Sequence, residues 1–350
     1  MGFSAFDQAM MRRALELAAR GLYTTTPNPR VGCVVASGEK VIAEGWHERV
    51  GGPHAEAVAL EKSSGDTLYV TLEPCNHQGR TPPCADLILK KKVGRVVAAM
   101  LDPNPKAAHG GKKLAAAGVR FEHGLLEAEA RELNIGFVSR MTRQRPWVRL
   151  KVAATLDGRT ALANGKSQWI TGPEARKDGH RWRARACAIL TGAGTVRADD
   201  PQLTVRDVDT PRQPLRVIAD SQLETPPGAR ILQGEKALIF CAVKEKHLKN
   251  AEIVSIPNAQ GKVDLPKMLE ELARRGVNEL HVEAGFKLNG SLLREGCVDE
   301  LLIYLNPSLL GDSAQGMVNL PEVLSLQERI QLKIQSLDRV GEDIRIVARL

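Results

Sequence analysis

Three side chains of metal-binding type lie close together along the chain: His54, then Cys75 after Pro74, then Cys84, with Glu56 two residues past the histidine. An imidazole and two thiolates can hold a zinc ion and leave its fourth position open. Such a site lowers the pKa of water to about 7, so a nucleophile is available at neutral pH. A carboxylate that is not itself a ligand can then move protons to and from that water, and Glu56 is placed for this. The chemistry would be hydrolysis. Two plainer readings use the same residues: a closed structural zinc knot with His77 as fourth ligand, or two buried cysteines without metal. Neither gives Glu56 a task.

The elements that must position these groups are legible around them. His54-Ala55-Glu56 opens an Ala/Leu-rich helical run to Ser63, after Gly51-Gly52-Pro53. Cys84 opens a second helical run after Pro82-Pro83. A helix N-terminus favours thiolate over thiol, which suits Cys84 as a ligand. The pattern H-x-E…P-C-x-x-C marks zinc nucleobase deaminases, in which the nucleophile displaces a ring amine as ammonia. Here eight residues, Asn76 to Pro83, separate the cysteines instead of two. That insert carries His77 and Arg80, expected to touch the deaminase substrate. Asn28, between Pro27 and Pro29, has an amide suited to reading a base; its plainer reading is a turn residue.

At 350 residues the chain is expected to form two domains, each able to bury a core. No apolar run approaches the roughly 20 residues needed to span a bilayer, and no signal peptide precedes the first helix, so no membrane association is expected. Besides the two metal-site cysteines, Cys33, Cys187, Cys241 and Cys297 read as reduced thiols in or near the core of a cytoplasmic protein. The net charge of +8 suits anionic ligands, either nucleic acid or phosphorylated small molecules. With only 6 Phe, 3 Tyr and 4 Trp the chain lacks the stacking platforms of single-strand binders, which favours phosphate esters.

Helices and strands alternate through both halves, predicting sheets flanked by helices. In the first half the pattern runs helix Ser4–Arg20, a hairpin of Gly32–Ala36 with Val41–Trp46, the His54 helix, strand Thr67–Thr71, the Cys84 helix, strand Arg95–Ala99, helix Gly111–Ala117, strand Val119–His123 and helix Glu127–Arg140. The charged stretch Arg140–Pro146 reads as a linker, giving domains 1–144 and 145–350. In the second half follow strand Trp147–Ala154, helix Pro173–Arg185 with a Thr171/Glu174 capping box, and strands Ala188–Thr191, Leu215–Asp220 and Ala237–Cys241. Helix Pro266–Arg275, strand Glu279–Glu283, helix Asn289–Glu295 and strand Glu300–Asn306 complete it. Gly192-Ala193-Gly194 after a strand, with Asp220 later, invites a dinucleotide-binding reading. The third glycine position holds Arg197, and Asp199-Asp200-Pro201 interrupts the helix, so a Rossmann unit is rejected.

Along nearly its whole length the chain resembles the bifunctional deaminase–reductase family of riboflavin biosynthesis. The carriers in the first half are Thr26–Gly32, Gly52–Glu56 and Glu73–Cys84, the long insert being typical of that family. In the second half they are Lys151–Arg159, Ser167–Thr171, Thr195–Arg206 and Glu283-Ala284-Gly285. The resemblance implies an N-terminal cytidine-deaminase-like α/β/α sandwich that is a zinc-dependent pyrimidine deaminase. It implies a C-terminal dihydrofolate-reductase-like α/β domain that is an NADPH-dependent reductase. The first would deaminate a diamino-hydroxy-phosphoribosylamino-pyrimidine; the second would reduce the ribosyl side chain to ribityl. By position it implies that Ala153, Trp169, Thr195, Asp199, Ser221 and Gly285-Phe286-Lys287-Leu288-Asn289-Gly290-Ser291 bind NADPH. Ser167, Arg183, Leu203, Arg206 and Glu283 would bind the reductase substrate, with Arg183 and Arg206 on its phosphate. Each has a plainer reading: Trp169 an interior aromatic, Asp199 a turn or cap residue, Arg183 part of a solvated basic helix face. By spacing, Arg176, His180 and Arg183 share one stripe of that helix.

The expected partners are phosphorylated pyrimidines, with no nucleic acid, in a homo-oligomer. Two alternatives stay open on sequence. One is a nucleic-acid-editing zinc deaminase with a C-terminal binding module, for which the basic balance gives slight support. The other is a zinc-stabilised scaffold with decayed sites, against which intact Glu56 argues.

Overall fold

The computed structural model describes residues 2–61, 63–78, 82–244 and 247–350, in two compact units, Met1–Gln144 and Arg145–Leu350. In the first unit the elements are α1 Ala5–Ala19, β1 Gly32–Ser37, β2 Lys40–Trp46, α2 Ala55–Leu60, β3 Thr67–Val70, α3 Cys84–Lys90, β4 Arg95–Ala98, α4 Gly110–Ala116, β5 Arg120–His123, α5 Glu127–Leu133 and α6 Ile135–Arg143. Their sheet has the order β2-β1-β3-β4-β5. β1 runs antiparallel to β2 and β3, while β3, β4 and β5 are parallel. The β1 strand is buried along five of its six residues, so it reads as an apolar run, Cys33-Val34-Val35-Ala36. Met11, Leu17, Leu60 and Ile88 from the helices pack with Val34, Leu68 and Val97 from the strands.

Two glycines permit the close packing that places the site. A Cβ at Gly45 of β2 would lie 2.5 Å from the Ala55 carbonyl oxygen, so α2, which carries Glu56, rests directly on the β2 backbone. A Cβ at Gly110 would lie 1.8 Å from the Pro74 carbonyl oxygen, so the start of α4 abuts the backbone beside Cys75.

The second unit contains β6 Trp147–Thr155, β7 Arg159–Ala161, α7 Pro173–Arg185, β8 Ala188–Gly192, α8 Ala193–Asp199, β9 Leu215–Ala219, β10 Ala237–Cys241, β11 Ala251–Ser255, α9 Leu265–Arg274, β12 Glu279–Val282, α10 Phe286–Arg294, β13 Glu300–Asn306, β14 Gln315–Gly316, β15 Lys333–Val340 and β16 Asp343–Arg349. The main sheet has the order β11-β10-β9-β8-β12-β6-β13-β16-β15, with β7 and β14 forming a small separate pair. It is parallel from β11 to β13 and antiparallel through β16 and β15. Connections through helices make this a mixed α/β domain of the expected class.

Three expectations are corrected. The helix expected over Glu127–Arg140 is two, because Asn134 breaks it to serve Arg30: its Oδ1 accepts the Arg30 N–H at 2.8 Å and its Nδ2 donates to the Arg30 carbonyl at 2.9 Å. The supposed linker begins inside α6, which runs to Arg143. Gln144 then turns the chain with φ 56°. The Thr171/Glu174 capping box is absent: Gly172 is the N-cap of α7, and its N–H donates to Asp343 Oδ2 at 2.7 Å.

Candidate active sites

In the first unit the N-cap of α2 and the start of α3 bring His54 and Cys84 together with Cys75, which lies beyond the end of β3. His54 Nδ1 is 3.3 Å from Cys84 Sγ and 3.5 Å from Cys75 Sγ. All three candidate ligand atoms lie within 4.8 Å of one another, and all six cysteines of the chain are free. A tetrahedral zinc with bonds of about 2.1 Å to nitrogen and 2.3 Å to sulfur needs N···S separations of about 3.6 Å. The donor set therefore fits zinc in type and spacing. Cys75 is the favoured thiolate: a hydrogen bond from Cys84 and another from His54 lower it to about 4, and the Cys84 thiol is raised by that same bond and by burial.

Glu56, two residues past His54 in the first turn of α2, is 3 % exposed, and burial raises its carboxyl to about 7. It stands in a cavity of about 440 Å³ with Asn28, His47, Glu73, His77, Asp102 and Asn104. Asn28 and His77 are thus brought to the same cavity as the metal-site residues. Arg80 lies outside the described residues. Two contributors were missed in the sequence. His47 Nε2 lies 3.1 Å from the Asn28 amide nitrogen while its Nδ1 faces the Pro53 carbonyl at 2.9 Å. That pairing orients the Asn28 side chain. Glu73 accepts the N–H groups of Asp102 at 3.1 Å and Gly111 at 2.9 Å, tying the loop before α4 to the Pro74-Cys75 segment. A lone histidine such as His47 gives no spacing signal, and Glu73, although it opens the Glu73–Cys84 motif, carries nothing in its position that points to Asp102 and Gly111.

The second unit has a cavity of about 1390 Å³ at the carboxyl ends of β6, β8, β9 and β12, the edge where ligands gather in parallel sheets. Every residue expected at the reductase site lines it except Gly290. Gly290 faces away from it: a Cβ there would lie 2.0 Å from the Asn319 carbonyl oxygen, so α10 packs at this point directly on the backbone of the 319 segment. The N-terminus of α10 follows β12, and the N–H of its N-cap, Gly285, donates to Thr195 Oγ1 at 3.1 Å. Trp169 is 71 % exposed, with the Arg176 guanidinium 4.7 Å from its ring, so it is not an interior aromatic. Asp220 accepts from Glu224 N, Thr225 N and Thr225 Oγ1, so its carboxylate holds a turn, in keeping with rejection of the Rossmann reading.

Arg183, expected at the substrate phosphate, lines the cavity and is held there by protein partners. Its Nε and Nη2 donate to the two Glu283 oxygens at 2.5 and 2.8 Å, and its Nη1 donates to the Thr204 carbonyl at 3.1 Å. The bidentate edge is occupied by a carboxylate. Burial works against the Glu283 carboxylate, yet Arg183, with His281 Nε2 3.3 Å away and Lys151 nearby, holds it well below the usual range. Lys151, in the same cavity, was quoted with its motif but not given a role. Burial lowers its ammonium, with Glu283 opposing and Arg183 adding to the effect.

Residues 146–346 match the RibD C-terminal domain, and residues 4–100 match the cytidine and deoxycytidylate deaminase zinc-binding region. The riboflavin biosynthesis protein RibD of Escherichia coli K12 is 46% identical, over 97% of this chain and 98% of its own length. The Aquifex aeolicus protein of the same name is 41% identical, over 97% of each. Among solved structures, Acinetobacter baumannii RibD superposes with a TM-score of 0.91 at 41% identity, covering 98% of both chains. The Thermotoga maritima diaminohydroxyphosphoribosylaminopyrimidine deaminase/5-amino-6-(5-phosphoribosylamino)uracil reductase superposes at 0.90 with 33% identity and the same coverage. With two cavities of the expected chemistry and likeness along the full length, this chain belongs to the RibD family.

Proposed function

We propose that the chain carries out two successive steps of riboflavin biosynthesis, deamination of the diaminopyrimidine in unit 1–144 and reduction of its ribosyl side chain in unit 145–350. The observation that carries this reading is the convergence of His54, Cys75 and Cys84 beside buried Glu56, in a chain whose other unit holds a second, larger cavity. His54, Cys75 and Cys84 would hold zinc, which when bound supplies the Lewis acidity that makes water a nucleophile near neutral pH. Glu56 carries one proton of the water to the ring nitrogen and the other to the amine, which leaves as ammonia. Asn28, oriented by His47, reads the edge of the pyrimidine, and His77, which lines the same cavity, contacts it as well.

The second cavity would hold NADPH, which when bound would supply the hydride that reduces the ribosyl C1. Opening the sugar leaves its ring oxygen in need of a proton, and Lys151, buried near Glu283 in the cavity, is the ammonium assigned to give it. Ala153, Trp169, Thr195, Asp199, Ser221 and the 285–291 segment, Gly290 excepted, line the cofactor's part of the cavity. Ser167, Leu203, Arg206 and Glu283 line the part given to the substrate. Arg206 supplies the phosphate contact, and Arg183 acts through Glu283 and Thr204.

The substrates are phosphorylated pyrimidines and not nucleic acid, in keeping with the +8 charge and few aromatics. A cytoplasmic location accords with six reduced cysteines. No described helix is long and apolar enough to cross a membrane. A homo-oligomer would cover the exposed Leu324, Leu326, Ile334 and Leu337. Ammonia release from the diaminopyrimidine, lost on chelation and restored by zinc, tests the first half of this reading. An RNA-binding titration with a steep salt slope would favour the editing alternative instead.

A further inference from the structure

Residues 203–206 of the second unit lie in no strand or helix, yet side chains occupy their backbone groups in succession. Arg183 Nη1 donates to the Thr204 carbonyl at 3.1 Å. Gln213 acts as a one-residue strand partner for Val205: its Oε1 accepts the N–H at 2.8 Å and its Nε2 donates to the carbonyl at 3.1 Å. His180 Nδ1 accepts the Arg206 N–H at 3.2 Å. Leu203 is 3 % exposed with φ 50°, and Val205 is 6 % exposed, so alternate side chains anchor the segment inward. Leu203 and Arg206 also line the reductase cavity. The backbone groups of a segment without sheet partners must be satisfied elsewhere, and here three side chains do it.

His180 is selective in a way that Gln213 and Arg183 are not. Accepting from an N–H requires a lone pair on Nδ1, so that nitrogen carries no proton. Its Nε2 lies 3.4 Å from Asp207 Oδ2, a contact that asks for the proton at Nε2. The two contacts together select one neutral tautomer. A proton added at Nδ1 would set a donor against the Arg206 N–H donor.

We propose that His180, with Gln213, is a positioning residue of the reductase: its neutral imidazole sets the place of the Leu203–Arg206 segment, and protonating it loosens that segment and weakens substrate binding. The groups facing the imidazole are Arg183 on α7, Arg206 and Asp207 on the segment and just beyond it, and Glu283 past the end of β12. Burial, then Arg183, keep His180 neutral to lower pH than a free histidine, while Asp207 and Glu283 oppose them. The loosening therefore belongs below the ordinary imidazole range. The proposal rests on the reading of Arg206 as a substrate contact.

The test uses the full chain with its zinc and NADPH, and variants His180→Leu, His180→Asn, Gln213→Ala and Arg206→Ala. Ammonia release by the other unit checks that each variant is intact. Asparagine places an oxygen near the position of Nδ1, so it keeps the acceptor without titrating. His180→Leu, which loses one hydrogen bond, should raise KM for the deaminated substrate by about tenfold, and Gln213→Ala, which loses two, by at least as much; both should leave KM for NADPH within twofold and speed amide exchange across 203–206. His180→Asn should restore both readouts. The substrate phosphate itself titrates near pH 6 in every variant, so the comparison is between proteins. Wild type should show a steeper acid rise in KM than His180→Asn. Unchanged exchange and KM in His180→Leu would overturn the positioning role. An identical acid rise in wild type and His180→Asn would overturn the switch. An unchanged KM in Arg206→Ala would remove the reading of Arg206, and amide exchange, measured without substrate, would still decide the role of His180.

Discussion

Replacing Gly110 by alanine should strip zinc from a site in which residue 110 is not a ligand. The added Cβ would lie 1.8 Å from the Pro74 carbonyl oxygen and 2.9 Å from its carbon, against an ordinary contact of 3.4 Å or more. Relief requires a relative displacement of about 1.6 Å, the difference between those separations. The α4 side of this contact is backed by Phe121 of β5, whose ring would lie 2.3 Å from a Cβ at the neighbouring Gly111, so the displacement falls largely on Pro74 and on Cys75, the next residue. Metal sites tolerate ligand errors of about 0.2 Å, several times less than the shift required. Overpacking of this kind costs about 1–3 kcal/mol. Metal content per chain after dialysis, read with a thermal melt, measures both effects. Zinc should fall below half occupancy and the first unit should melt earlier. Gly179→Ala in α7, where nothing lies within 4 Å of the new Cβ, is the control and should keep its zinc. Full zinc and unchanged stability in Gly110→Ala would refute the claim that this contact positions Cys75.

Glu56→Gln should abolish ammonia release while zinc stays near one per chain; near-normal release would remove Glu56 from its proton-moving role. Glu283→Gln should lower reductase kcat by about a hundredfold or more with deamination intact, because both Arg183 and Lys151 lose their carboxylate partner. Asp7, 4 % exposed and bonded to Arg95 and to the Tyr69 hydroxyl, has its carboxyl held below the usual range chiefly by Arg95. Its stabilisation is present above the unfolded value of about 3.9 and is lost as pH falls through the depressed folded value. Asp7→Asn should thus cost about 3 kcal/mol at pH 7, and urea melts should show the gap to wild type closing in acid. A fragment beginning at Arg145 should still oxidise NADPH with the deaminated substrate; a folded but inactive fragment would mean that the first unit completes the reductase site.

Much of the architecture is written in local pattern. Pro173–Arg185, Ala237–Cys241 and Glu300–Asn306 are observed with the bounds read from periodicity, because buried parallel strands and a Pro-initiated helix carry strong signals. The C-terminal hairpin of β15 and β16 escaped notice. β15 has exposed charged residues between its apolar ones, and its pairing is with β16 and not with a patterned core. The break at Asn134 has no local cause, since the amide serves Arg30, more than a hundred residues earlier. The same holds at the sites. The cluster of His54, Cys75 and Cys84 that could hold a metal is legible from residue type and spacing, whereas His47, Glu73 and Gln213 act on backbone or side-chain partners brought near only by folding. Arg183 was legible as a functional arginine but not in its partner, because Glu283 lies a hundred residues away.

The central claim is that one chain performs both steps in order. Purified, zinc-loaded protein given the diaminopyrimidine and NADPH should release ammonia and then lose NADPH absorbance in equal amounts. With Glu56→Gln, neither should change on that substrate, while NADPH loss on the deaminated substrate stays at the wild-type rate. NADPH oxidation by Glu56→Gln on the diaminopyrimidine, or ammonia release from wild type with no NADPH loss, would contradict the account.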